Sequence, residues 1–161
     1  MRRPGHTLAV AGLALAVCAM AYGFYYAVWV EHQTLDGIGG ALTGAFQDAA
    51  RGDVNGSHAK FDAYARAKYV YVREVDAHSH WIGLAMILLI LAAVWERLAL
   101  GPTGKSLLAW ALILGSVLFP AGVLSQNFLA EPHGQVLAVT GTVLLIVGFA
   151  MVAVGFLREA R

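Results

Sequence analysis

The chain has 161 residues, of which 59% are hydrophobic and only 13% charged, with a formal net charge of +1. Soluble domains carry roughly a quarter charged residues, and the long uncharged runs here exclude an ordinary soluble enzyme and point to a polytopic membrane protein of a single domain, residues 1–161. So small a net charge offers nucleic acid no basic field, and the single cysteine, Cys18, can form neither an intramolecular disulfide nor a thiolate cluster.

Arg2-Arg3 followed by an apolar run has the outline of a secretory leader, with Ala19-Met20-Ala21 in the form of a cleavage site. Leu15-Ala16-Val17-Cys18 is a poor lipobox, because Val17 is bulky where a small residue is required. The run continues from Leu8 to Val30, about 23 residues, which is long enough to span. A retained transmembrane helix is therefore predicted. Three further spans are predicted at about residues 77–98, 106–124 and 134–157. Each is near the ~20 residues that cover ~30 Å of hydrocarbon at ~1.5 Å per residue.

Lys and Arg set the orientation. Arg2, Arg3, Arg97, Lys105, Arg158 and Arg161 flank one set of span ends, which the positive-inside rule assigns to the cytoplasm. Both termini are then cytoplasmic, in a bacterial inner membrane, and residues 31–76 and the 125–133 turn lie outside.

The outer segment is helical by periodicity. Leu35, Ile38, Leu42, Ala45, Phe46 and Ala49 recur at three- and four-residue steps, as do Phe61, Tyr64, Ala65, Lys68, Tyr69 and Val72. The break between them, Arg51 to Ser57, is rich in turn formers, with Asn55 or Ser57 placed to cap the returning helix. Gly37, Gly39, Gly40 and Gly44 would permit close helix contact. The predicted fold is all-α: a four-helix transmembrane bundle whose first two helices extend into an extracytoplasmic helical hairpin. Pro120 should kink the third span, and Pro132 suits the start of the fourth. Trp29, Trp81, Trp95 and Trp110 fit an aromatic belt, and Gly115, Gly141, Gly148 and Gly155 fit helix packing points.

Histidine placement is the functional signal. If the first hairpin turns near residues 54–56, position n faces position 110 − n, and His32 comes level with His78. His133, at the outer start of the last span, falls at the same membrane boundary. His32, His78, His80 and His133 then share one layer, while His6 and His58 do not. A helix turns ~100° per residue, so His78 and His80 point in different directions. Glu74 and Asp76 each precede one of them by four residues. Either acid could orient an imidazole through its second nitrogen or ligate a metal itself.

Three uses compete. Two histidines from facing helices can ligate b-type haem, with Tyr22, Phe24, Tyr25, Trp29, Trp81, Phe119 and Phe128 as pocket aromatics. Copper, zinc or iron can be held by the same histidines with Glu31, Asp76 or Glu131. Interfacial histidines can also simply face lipid headgroups.

The run His78-Ser79-His80-Trp81-Ile82-Gly83-Leu84 resembles the His-x-His segment at the mouth of a transmembrane helix in the haem–copper oxidase superfamily, which includes nitric oxide reductases. The resemblance covers seven residues and implies a haem-ligand role for His78 or His80 in a respiratory setting. A twelve-helix catalytic subunit is absent, so the resemblance does not extend to oxygen or nitric oxide reduction by this chain alone. The sequence thus leads to a small b-type cytochrome-like protein that passes electrons from quinol or to a periplasmic carrier. Its alternatives are a non-haem metal protein and a non-enzymatic accessory subunit that docks a membrane protein partner or a second copy of itself.

Overall fold

A computed structural model describes residues 4–128 and 132–159. They are helical throughout apart from short turns: α1 (Pro4–Tyr25), a π-helical turn (Tyr26–Val30), α2 (Glu31–Ala50), α3 (Val54–Val94), a 3₁₀ turn (Trp95–Arg97), α4 (Pro102–Ser125) and α5 (His133–Glu159). Four continuous stretches are long and apolar enough to cross a membrane: Pro4–Ala50, Val54–Arg97, Pro102–Ser125 and His133–Glu159. At most 39% of the apolar window of any of them is buried within the protein. The remainder is far more apolar surface than a soluble monomer exposes, and hydrocarbon is the solvent that suits it. The expectation of a helical chain with four helices long and apolar enough to span a membrane therefore holds for the described residues.

Contacts divide the chain into two compact units, Met1–Met20 with Asp76–Arg161, and Ala21–Val75. In the larger unit the core is largely aliphatic: Leu8, Leu84, Leu88, Leu112, Leu145 and Val152 form one cluster that also includes Trp95. Gly5 and Gly12 let α1 lie close to α3, where an added Cβ would meet Trp95 Cβ at 3.3 Å and Ala85 O at 3.1 Å. The seam between α4 and α5 is closer still. Gly134, Gly141, Gly148 and Gly155 are all buried on one face of α5, at seven-residue intervals. They meet, in order, Gln126, Phe119, Leu112 and the Leu98–Leu100 loop, so α5 runs antiparallel to α4 with one seam along its length.

The expected tryptophan belt needs one correction. Trp95 is fully buried and belongs to the core rather than to a lipid-facing girdle, whereas Trp29 and Trp110 are exposed. Its 3₁₀ turn also closes one end of the unit. There Lys105 Nζ donates to Glu96 O at 2.9 Å, and Arg97 Nε donates to Glu159 Oε1 at 3.3 Å. α4 continues through the buried Pro120 to Ser125, whose Oγ donates to Gly122 O at 2.9 Å.

In the Ala21–Val75 unit, a tight turn joins α2 to α3 over Arg51, Gly52 and Asp53. Gly52 has φ +78°, a left-handed conformation that glycine adopts without penalty. Asp53 N donates to Asp48 O at 2.9 Å and Gly52 N to Ala49 O at 3.0 Å, the paired bonds that satisfy the last carbonyls of α2. Asp53 Oδ1 then accepts the Gly56 N–H at 2.9 Å and caps α3. One residue thus ends one helix and begins the next. The cap is Asp53 rather than Asn55 or Ser57, because only position 53 stands three residues ahead of an unsatisfied first-turn N–H. Above the turn, Asp48 pairs with Lys60 at 2.7 Å, and the Phe46 and Phe61 rings meet edge to face at 6.5 Å. Of the α2 glycines, Gly44 meets the Lys60 side chain, while Gly37, Gly39 and Gly40 have nothing within 4 Å of an added Cβ and are not contact points.

Candidate functional site

Within the larger unit, two elements, α3 and α5, bring histidines to one end. α3 carries His78 and His80 where its apolar stretch begins. The His80 ring lies 4.8 Å from Phe119 of α4. His133 is the first residue of α5, and its neighbour Gly134 packs on Ser125 and Gln126 at the end of α4. At ~1.5 Å per residue, the seven residues from Phe119 to Gln126 put His133 ~10 Å further out than His80, with His78 between them. His78 is half-buried, while His80 and His133 are exposed.

His32 belongs to the other unit. It is exposed on the first turn of α2, directly after the π-helical turn. Hairpin contacts do not follow the count about residues 54–56. The turn is at 51–53, and Tyr26 already meets Tyr71, with ring centroids 6.5 Å apart. His32, six residues beyond Tyr26 on the ascending arm, therefore has its level partner before Tyr71, inside the Ala21–Val75 unit. The earlier turn shifts the register, and the extra residue of the π-helical turn adds about one more residue in the same direction, which a level count cannot anticipate.

Among the described residues, no three His, Cys, Asp or Glu side chains form a group able to hold a metal ion. Glu131, one of the expected metal ligands, lies outside the described residues; Asp76 is exposed and Glu31 half-buried. Phe24, Tyr25, Trp29 and Phe128, expected as pocket aromatics, are all more than half exposed. Phe24 and Tyr25 pack on Trp29 at 5.5 and 5.8 Å.

One feature of the Ala21–Val75 unit carries no simple sequence signal. Tyr26, at the start of the π-helical turn, is 8% exposed. Its hydroxyl is buried without a hydrogen bond of standard geometry. Glu74, three residues before the predicted second span, lies within its electrostatic reach. Burial pushes the Glu74 carboxyl above its usual range, and the Tyr26 hydroxyl partly opposes that shift. Thr34 Oγ1 donates to Val30 O at 3.0 Å and ties the π-helical turn to α2.

Compared with known proteins, the chain matches no family model, no curated protein and no solved structure.

Proposed function

We propose that this chain is a non-enzymatic membrane subunit. The four apolar helices anchor it in a bilayer, and the Ala21–Val75 unit is an extracytoplasmic arm that docks a protein partner, either a larger membrane subunit or a second copy. One observation carries this reading. Phe46, Phe61 and Tyr69 lie outside the predicted spans and are 62%, 46% and 53% exposed. Lipid would solvate such rings within a span; on an arm in water they form the aromatic surface that interfaces use. Arg73 stacks over the Tyr69 ring at 3.7 Å and Lys68 lies over Tyr64 at 5.7 Å, adding cation–π contacts to the same helix. In this reading the membrane is the bacterial inner membrane and both termini are cytoplasmic, as the lysine and arginine flanks suggest. The test is the mass of the assembly extracted from native membranes in mild detergent. The triple change Phe46→Ser, Phe61→Ser, Tyr69→Ser should release a monomer with unchanged helix content. A wild-type monomer, or a variant that keeps its assembly, would refute the docking role.

A second reading has its own support, from the histidines at one end of the larger unit. Two of His78, His80 and His133 would supply axial ligands to haem b. Haem would contribute a one-electron couple, and the chain would hold and shield it while electrons pass from quinol or to a periplasmic carrier. The short resemblance to the haem–copper oxidase superfamily favours this over copper, zinc or iron, which would need a third ligand. A Soret band in the purified protein, lost in His78→Ala, supports haem. A colourless protein with no bound metal leaves the docking role alone.

A further inference from the structure

A second feature of the larger unit concerns its lipid-facing side. Between α1 and α4 runs a half-open groove of ≈ 510 Å³, walled by α1 from Pro4 to Ala14 and by α4 from Ser106 to Ile113. That volume is ample for a small amphiphile. At ~1.5 Å per residue the walls are ~11–15 Å long, about half the ~30 Å thickness of a bilayer core. Polarity is graded along the groove. His6, Thr7 and Ser106 line one end, and Val10, Ala14 and Ile113 line the rest. Both helices start at the polar end, so their unpaired N–H groups and positive dipole ends gather there. The groove opens on helices that are apolar enough to cross a membrane, so hydrocarbon chains rather than water reach it.

We propose that this groove binds one acyl chain of a phospholipid, with its phosphodiester held by His6, Thr7 and Ser106. The length of the walls matches one leaflet's acyl chain. The polar end offers an imidazole and two hydroxyls, all able to donate, and no carboxylate lines it among the described residues. Lys105, the nearest lysine in sequence, is engaged by Glu96 through its carbonyl at 2.9 Å and its carboxylate at 3.7 Å. Among the described residues, His6, Thr7 and Ser106 are therefore the groups that face the headgroup.

The test uses the full chain, purified in mild detergent and washed until bulk lipid is gone, then read by native mass spectrometry and phosphorus analysis. The wild type should retain one phospholipid per chain. Ala14→Phe, which pushes a ring into the groove from an exposed position, should lose it. Val147→Phe, on the exposed face of α5 and not part of the groove, should retain it. In exchange with defined vesicles, the wild type should prefer phosphatidylglycerol to diacylglycerol, which lacks the phosphodiester, by about tenfold, the value of one charge-assisted hydrogen bond. The triple change His6→Ala, Thr7→Ala, Ser106→Ala should erase that preference while the acyl chain stays bound. The proposal is overturned if the wild type retains no phospholipid, if Ala14→Phe retains it equally, if diacylglycerol is held as tightly, or if the retained molecule is a quinone.

Discussion

Replacing Gly141 with Ala tests the packing that builds the larger unit. An added Cβ would lie 2.3 Å from Phe119 N and 2.7 Å from Phe119 Cα. Both are backbone atoms that no side-chain rotation can move aside. Carbon contacts prefer about 3.5–4.0 Å, so α4 and α5 must part by ~1 Å. A gap of that size forfeits a quarter to a half of the ~0.1–0.2 kcal/mol that each atom pair contributes. The seam also holds Leu145 against Gly115, Leu112 against Gly148 and Ala138 against Gly122. Summed along the seam, the weakened atom pairs amount to about 2 kcal/mol, within the usual range for overpacking. Alanine's better helix propensity returns up to ~1 kcal/mol, leaving a net loss of about 1–2 kcal/mol. The control is Gly83→Ala in α3, where an added Cβ meets nothing within 4 Å and propensity alone should stabilise. Equilibrium unfolding in mixed detergent micelles, followed by far-UV circular dichroism, gives both values. The reasoning is refuted if Gly141→Ala matches the wild type, or if Gly83→Ala is equally destabilising.

Three further outcomes are expected. Gly52→Ala and Asp53→Ala should each destabilise the Ala21–Val75 hairpin by about 1 kcal/mol, through a left-handed φ and a lost helix cap respectively, read as lower amide-exchange protection around residues 48–60. Burial raises the Glu74 carboxyl above its ordinary 4.5, so the folded state binds more protons than the unfolded one from pH 4.5 up to the raised value. Stability should fall as pH rises through that window, and Glu74→Gln should flatten the profile; an unchanged slope in the variant would count against the assignment. Ser116 is 1% exposed and its hydroxyl has no partner, so Ser116→Ala should leave stability unchanged or raise it by up to ~1 kcal/mol in the same micelle assay.

The spanning helices were legible because lipid solvation writes itself into composition: about twenty apolar residues in a row admit few other readings. The helical periodicity of residues 35–49 and 61–72 was legible for the related reason that one face of each helix is more apolar than the other. The connection between them was less so. Arg51 to Ser57 contains several residues able to turn or cap, and only the hydrogen bonds of Gly52 and Asp53 single out three of them. Histidine placement depended on that connection and on a uniform rise along both arms. The π-helical turn at Tyr26–Val30 breaks that uniformity and has no compositional signature in an apolar run. Trp95 shows the converse limit, since a tryptophan at a span end reads the same whether it faces lipid or, as here, the core. The buried Tyr26 hydroxyl beside Glu74 and the graded groove of His6, Thr7 and Ser106 each join residues far apart in sequence, and no spacing rule connects them.

The proposed docking role rests on Phe46, Phe61 and Tyr69, whose rings are exposed and lie outside the spans predicted from the sequence. The most direct measurement is the absolute mass, by light scattering, of the assembly extracted from native membranes. The account predicts a particle larger than the 17.1 kDa chain for the wild type, and a monomer once Phe46, Phe61 and Tyr69 are changed to serine. The same monomeric mass before and after those changes would contradict it.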